Sequence, residues 1–110
     1  MLENTYLQIS DVIGKIIPAD WSKIVLYAEI LDDSREVYFL FQTQEYDEYI
    51  YSHDIPEHFR VSKKIYTELL IDLQELFKQL HNEFKENNLE VSTNLALKLE
   101  SNGQFSIEYN

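Results

Sequence analysis

The chain has 110 residues, the size of one domain with one hydrophobic core, and 45% of its residues are hydrophobic. Its formal net charge of −11 repels nucleic-acid phosphate, so we expect no direct nucleic-acid binding. The absence of cysteine excludes disulfides, thiolate nucleophiles and thiolate-bound zinc.

The first segment has the apolar spacing of a helix. Asn4 is its expected N-cap, and Pro18 ends it because the residue before a proline avoids the α region. The segment lacks the basic and apolar regions of a secretion signal, and no run in the chain is long enough to span a bilayer. We therefore expect a cytoplasmic protein that makes no membrane contact. The helical stripe contains Leu2, Tyr6, Ile9, Ile13, Ile16 and Ile17.

Two strands are predicted next. WSKIVLYAEIL and EVYFLFQ alternate and are rich in β-branched and aromatic residues, and DDS between them supplies turn chemistry, so they predict a hairpin. One strand face is expected to carry Ile24, Leu26, Ala28 and Ile30, and the other Val25, Tyr27, Glu29 and Leu31.

A long amphipathic helix is predicted from about Val61 to about Glu86, ending at Asn87 and Asn88. VSTNLALKLE and QFSIEYN then alternate around Ser101–Gly103 and predict a second hairpin. This order predicts an α+β fold, with a mainly antiparallel sheet of four to five strands packed against the N-terminal helix and the long helix. The stripe of the long helix contains Tyr66, Leu69, Leu70, Leu73, Leu76, Phe77, Leu80 and Phe84.

Between the strands and the long helix lies QEYDEYIYSHDIPEHF, which raises the question of a metal site. His53, Glu57 and His58 are spaced as His-x-x-x-Glu-His, one residue longer than the inverted zinc motif requires. Pro56 would also interrupt a helix that presented these ligands. The segment is therefore predicted to be a polar loop near the start of the long helix, without a metal or another cofactor.

A hydrolase site is the second possibility in this stretch. Ser52 could be paired with His53 or His58 and with Asp54, but members of a catalytic triad usually come from separate elements. The GxSxG elbow is also absent. The sequence therefore predicts that the protein is not an enzyme.

The negative charge is concentrated between Glu29 and Glu57, where Arg35 is the one basic residue besides histidine. Tyrosine is common in interface cores, and carboxylates around it favour a basic partner. Tyr46 is expected to belong to an interface. Tyr49 and Tyr51, two apart on a predicted strand, either pack on one sheet face or join that interface. Asp47 and Glu48, adjacent on the same predicted strand, are expected to form a solvated acidic edge.

Several motifs together resemble the YezG-like immunity (antitoxin) family across nearly the whole chain. They are IIPADWSKIVLYAEI after the first helix, then VYFLF, then YSHDIPEHF before the long helix, and finally NGQFSIEY. The resemblance implies a small cytosolic protein that neutralises a cognate toxin, often a nuclease of the LXG type exported by a type VII-like secretion system of Gram-positive bacteria. It carries over no catalytic residues.

Members of this family usually continue past the last hairpin. Residues 1–110 are thus expected to form a single immunity-protein domain without the C-terminal segment usual in the family. The chain is then either a truncated or shortened member or a complete shorter one.

The sequence and the resemblance together therefore predict an immunity protein that binds a basic toxin domain, a nuclease, through an acidic, tyrosine-rich surface. The alternative is a non-catalytic module that self-associates, for example as a homodimer through an edge strand near the C-terminus. The candidate toxin-binding residues are Asp32, Asp33, Glu45, Tyr46, Asp47, Glu48, Tyr49, Tyr51 and Asp54.

Overall fold

A computed structural model describes residues 2–30, 35–45, 47–86 and 94–109. Helix α1 (Leu2–Ile16) precedes strands β1 (Trp21–Ile30), β2 (Arg35–Thr43) and β3 (Ile50–Tyr51). A 3₁₀ turn (Ser52–Asp54) and a short helix, α2 (Ile55–Phe59), connect β3 to the long helix α3 (Lys63–Glu86). The final hairpin consists of β4 (Asn94–Glu100) and β5 (Phe105–Tyr109). The predicted α+β class is confirmed.

The five strands form one antiparallel sheet in the order β3-β2-β1-β4-β5. Strand β1 lies at its centre and pairs with β2 on one side and with β4 on the other. Tyr27, for example, lies opposite Tyr38 of β2 and opposite Ala96 of β4. Both predicted hairpins are therefore confirmed, and β1 joins them into one sheet.

The helices cover one face of this sheet, which separates the two sets of side chains along β1. Helix α3 packs on β1 and β2, and α1 packs beside α3. Ile24, Leu26, Ala28 and Ile30 are buried, as predicted, whereas Tyr27 and Glu29 are exposed. The predicted outward position of Leu31 lies outside the described residues. The buried core includes Ile9, Ile13, Phe39, Phe41, Leu73 and Phe77.

Both predicted helices exist, but their N-terminal boundaries differ from the prediction. Helix α1 begins at Leu2, so Asn4 lies inside its first turn and the prediction of an Asn4 N-cap is wrong. Helix α3 begins at Lys63 because the Ser62 Oγ accepts a hydrogen bond from the N–H of Ile65 at 3.2 Å and so caps the first turn. The predicted end of α3 at Asn87 and Asn88 lies outside the described residues.

The segment predicted as a polar loop is instead the 3₁₀ turn and α2. Pro56 lies in the first turn of α2, where a missing N–H leaves no helical hydrogen bond unmade. Arg60 ends the helix with φ 55°, in the left-handed region. The prediction of a loop was wrong because proline is unfavourable inside a helix but compatible with its start.

Candidate interaction surface

The face of the sheet opposite the helices, called here the open face, is formed by alternate side chains of all five strands. Pairing fixes this arrangement, because residues directly opposite each other on antiparallel strands share a face. Neither α1 nor α3 covers it. The open face includes Lys23, Val25, Tyr27, Glu29, Glu36, Tyr38, Leu40, Tyr51, Ala96, Lys98, Glu100, Ser106 and Glu108.

Aromatic rings form a continuous row across this face, called here the tyrosine row, made of Tyr27, Tyr38, Tyr51 and His53. The rings of Tyr27 and Tyr38 are stacked, with centroids 5.3 Å apart and planes at 28°. Tyr51 meets Tyr38 edge-on at 6.1 Å, and His53 meets Tyr51 edge-on at 5.0 Å. The row thus leads from the central strand to the 3₁₀ turn at the edge of the sheet.

The far end of the row is fixed to α3. The Nδ1 atom of His53 lies 2.6 Å from the hydroxyl oxygen of Tyr66, and the His53 tautomer decides which of the two donates the hydrogen. Burial raises the pKa of the Tyr66 phenol above its ordinary value, and a hydrogen bond with the Ser52 side chain opposes this effect only in part. Tyr66 is therefore a neutral hydrogen-bonding partner at physiological pH.

At the other end of the row, the open face forms a recess, called here the acidic recess. Its cavity of about 410 Å³ is lined by Tyr27 and Tyr38 together with the carboxylates of Glu29, Glu36 and Glu108. Glu29 lies directly opposite Glu36 in the β1–β2 register. The recess therefore combines aromatic surface with concentrated negative charge.

A larger cavity of about 770 Å³ lies at the opposite end of the open face, beside Lys23, Val25 and Lys98. Tyr49 also lines this cavity, although it precedes β3 and belongs to no strand. The prediction that Tyr49 and Tyr51 lie two apart on one strand is therefore wrong, because β3 contains only Ile50 and Tyr51. Both tyrosines are nonetheless exposed, at 48% and 39%, which excludes a core role for either.

The predicted site residues that the structure describes all lie at the surface, in the segment leading into and out of β3. Glu45, Asp47 and Glu48 are exposed before β3, and Asp54 is exposed in the 3₁₀ turn. Asp47 and Glu48 lie in bends, so the prediction that they occupy a strand is wrong. Asp32, Asp33 and Tyr46 lie outside the described residues.

The sequence prediction missed Tyr27 and Tyr38 as site residues. The signal was present, because both occupy outward positions of the predicted hairpin and share those faces with Glu29 and Glu36. Residue spacing alone does not pair them, because the strand register, which places Tyr27 opposite Tyr38, depends on the turn between the strands.

The alternatives based on catalysis gain no support from the geometry. Ser52 is fully buried, and its Oγ accepts a hydrogen bond from the N–H of Phe39 at 3.0 Å, so it supports the fold and cannot reach a substrate. His53 is hydrogen-bonded to Tyr66. Among residues 2–30, 35–45, 47–86 and 94–109, no three His, Asp or Glu side chains are grouped to hold a metal ion. Within the same ranges, no helix is both long and apolar enough to cross a membrane.

Comparison with known proteins identifies relatives along nearly the whole chain. Residues 2–110 match the family described as "Immunity protein YezG-like". The chain is 55% identical over 105 residues to the immunity protein YezG of Bacillus spizizenii, a match covering 96% of the chain and 65% of that protein. It is 48% identical over 109 residues to the immunity protein YezG of Bacillus subtilis, covering 99% and 72% of the two chains.

A more distant relative is the type VII secretion system protein EsaG of Staphylococcus aureus, which is 30% identical over 108 residues. That match covers 98% of the chain and 66% of the relative. Compared with the Bacillus spizizenii protein, the chain spans 65% of that protein's length, slightly less than two thirds. With a family match over residues 2–110, the chain belongs to the YezG-like immunity protein family.

Proposed function

We propose that this protein is a non-catalytic immunity protein that binds and neutralises a cognate secreted toxin, a nuclease, in the cytoplasm of the cell that produces both. The observation that carries the proposal is the family match over residues 2–110. Two of its relatives are named immunity proteins, and a third is named as a type VII secretion system protein. The toxin's export by such a system is part of the proposal.

Charge supports a nuclease as the toxin class. A nuclease holds phosphate with lysine and arginine, and an acidic protein surface can occupy the same cleft as a competitor. The chain has a net charge of −11, and its described carboxylates around β3 are exposed. Opposite charges also accelerate the encounter of the two proteins.

The proposed binding surface is centred on the segment around β3. The exposed carboxylates Glu45, Asp47, Glu48 and Asp54 would steer the toxin, and exposed Tyr51 would supply a buried anchor once the toxin is bound. A central tyrosine of this kind contributes about 2 kcal/mol or more to binding if it is a hot spot. The proposal also includes Asp32 and Asp33 for steering and Tyr46 and Tyr49 as anchors.

The test uses the cognate toxin and three variants of the chain. Reversing Glu45, Asp47 and Glu48 to lysine is expected to slow association and weaken its salt dependence, because steering charges act on the encounter. Tyr51→Ala is expected to act mainly on the dissociation rate. A matched control reverses three exposed carboxylates on the helices, Asp11, Glu68 and Asp72, and so makes the same charge change elsewhere.

The readouts are association and dissociation rates by surface plasmon resonance, cell survival, and nuclease activity with and without the immunity protein. The proposed surface is supported if the lysine-reversal variant and Tyr51→Ala no longer protect cells from the toxin while the control variant still does. If these two variants fold and bind the toxin with unchanged association and dissociation rates, the binding site lies instead on the helices or the final hairpin. A toxin that the unmutated protein neither binds nor inhibits would refute the function itself.

A second candidate function is self-association, for which β5 supplies the observation. β5 is an edge strand that pairs with β4 alone within the described sheet, so one row of its backbone groups is available to another strand. Phe105 on β5 and Leu7 on α1 are 57% and 65% exposed and border an apolar groove of about 380 Å³. A dimer that persists on dilution in light scattering, and that Phe105→Ser disrupts, would favour this function.

A further inference from the structure

We infer that the acidic recess is an arginine-binding subsite, which receives a guanidinium group from a basic protein partner. The inference rests on the proposed function for the identity of that partner, the toxin. It adds Tyr27, Tyr38, Glu29, Glu36 and Glu108, none of which belongs to the surface proposed around β3. It thereby extends the docking surface across the open face to the last strand.

The first argument is the placement of like charges. Glu29 and Glu36 lie directly opposite each other on β1 and β2, an arrangement that destabilises a sheet. Glu108 reaches the same recess from β5, two strands away from β1. Local arrangements that oppose folding are expected mainly at functional sites.

The second argument is that the described cations of the chain form no ion pair with the carboxylates of the recess. Arg35 neighbours Glu36 in sequence, yet its guanidinium group forms an ion pair with Glu75 of α3, on the helix side of the sheet. Within the described part of the chain, no lysine or arginine lies within ion-pair distance of Glu29, Glu36 or Glu108. The recess therefore presents carboxylates that a partner's cation can neutralise.

The third argument concerns shape. Ala96 lies opposite both Tyr27 and Glu108, and its small side chain leaves the space between them open. A planar cation entering this space can stack on a tyrosine ring while a carboxylate accepts two of its N–H groups. Arginine makes both contacts, whereas lysine is a compact point charge that cannot form the paired hydrogen bonds.

The other occupants of this face are less compatible with its charge. Nucleic acid is repelled by the carboxylates. A second copy of the chain brings a net charge of −11 to a surface that is itself acidic. A toxin with an arginine-bearing nucleic-acid cleft has the opposite charge, so charge complementarity selects it as the partner.

The peptide test compares tetra-arginine with tetra-lysine by NMR titration, monitoring the ring resonances of Tyr27 and Tyr38. The recess variant is the double substitution E29Q/E36Q, and the matched control is E68Q/D72N on the exposed side of α3. We expect tetra-arginine to shift both rings and to bind about tenfold more weakly to the recess variant than to the control. The inference would be overturned if the unmutated protein bound the two peptides with equal affinity, or if the two variants lost equal affinity for tetra-arginine.

The same substitutions also allow a check that the variants are folded. Because E29Q/E36Q relieves like-charge repulsion, its melting temperature is expected to equal or exceed that of the unmutated protein. Tyr27→Leu supplies an independent variant that keeps apolar surface on the strand but removes the aromatic ring. If Tyr27→Leu is folded and binds tetra-arginine as tightly as the unmutated protein, stacking is excluded and the inference fails.

The toxin test separates this inference from the function on which it rests. If the unmutated protein binds and inhibits the toxin while E29Q/E36Q leaves the affinity unchanged, the function holds and the subsite is refuted. If the unmutated protein does not bind the toxin at all, the proposed function is refuted and the inference loses its partner. If E29Q/E36Q weakens toxin binding about tenfold and E68Q/D72N does not, the subsite is supported.

Discussion

The side-chain oxygen of Ser52 accepts a hydrogen bond from the backbone N–H of Phe39 at 3.0 Å, immediately after β3 ends. Tyr51 is the last residue of β3 to pair with β2, where it lies opposite Leu40. The serine hydroxyl thus replaces the strand partner that β2 loses at this point. Through this contact, the backbone next to the tyrosine row is fixed to the core.

Replacing Ser52 with alanine is therefore expected to destabilise the protein by about 1–3 kcal/mol, because the buried N–H of Phe39 loses its acceptor. Urea denaturation followed by circular dichroism measures the change. Ser106→Ala, at an exposed position of β5, is the matched control and should change the free energy of unfolding by no more than about 0.5 kcal/mol. Equal effects of the two substitutions would show that the Ser52 hydroxyl does not stabilise the fold.

Two apolar residues on α3 should respond differently to truncation. Leu73 is fully buried, so Leu73→Ala is expected to cost about 2–5 kcal/mol through lost contacts and the cavity left behind. Ile71 is 50% exposed on the same helix, and Ile71→Ala should change stability by no more than about 0.5 kcal/mol. The two free energies of unfolding, measured in urea, check the orientation of α3; similar values for both would contradict it.

The two glycines of the chain are expected to respond in opposite directions to alanine. Gly14 lies at an exposed position of α1 with nothing near the position of an added Cβ, so Gly14→Ala should stabilise the protein by about 0.5–1 kcal/mol. Gly103 has φ +92° in the turn between β4 and β5, so Gly103→Ala should destabilise it by about 1–2 kcal/mol. Thermal melts of both variants test the signs, and a stabilising Gly103→Ala would refute the assigned turn.

The buried phenol of Tyr66 should make stability depend on alkaline pH. Its pKa is raised in the folded state by burial, so above about pH 10 the unfolded chain loses this proton more readily than the folded one. This contribution to stability is therefore complete below the unfolded pKa and is lost as pH rises towards the folded value. Tyr66→Phe removes the ionisation together with the hydrogen bond to His53.

Urea midpoints at pH 8, 10 and 11 measure the effect. The variant should be less stable than the unmutated protein at pH 8 by about 0.5–1.5 kcal/mol, and the difference should shrink as pH rises. Tyr49→Phe, at an exposed position, serves as the control for loss of a tyrosine hydroxyl. A constant difference between Tyr66→Phe and the unmutated protein at all three pH values would contradict the prediction.

The elements of the fold could be predicted because their signals are local and repeated. The stripe of α3 recurs over about five turns, and five of its eight predicted members, including Leu73 and Phe77, are buried while the other three are half-buried. The alternation in β1 likewise separates Ile24 and Leu26 from Tyr27. Periodic burial leaves such patterns in the sequence whatever the tertiary arrangement.

The candidate site was harder to predict because it depends on contacts between distant segments. Tyr27 meets Tyr38 through the β1–β2 register, and Glu108 reaches the recess only because β4 and β5 lie on the far side of β1. His53 meets Tyr66 across the short helix α2, whose existence the sequence prediction missed. Pairings of this kind depend on sheet order and loop geometry, which residue spacing does not specify.

The central position of β1 also constrains when, during synthesis, the sheet can be completed. β2 follows β1 directly in the sequence, but the other neighbour of β1, β4, begins only at Asn94, after the whole of α3. Until then one edge of β1 is open to pairing with other chains, which makes the partly synthesised protein prone to aggregation. A partner that contacts both Tyr27 and Glu108 can be bound only after β5 has docked beside β4. Binding of such a partner is then delayed until the β4–β5 hairpin closes.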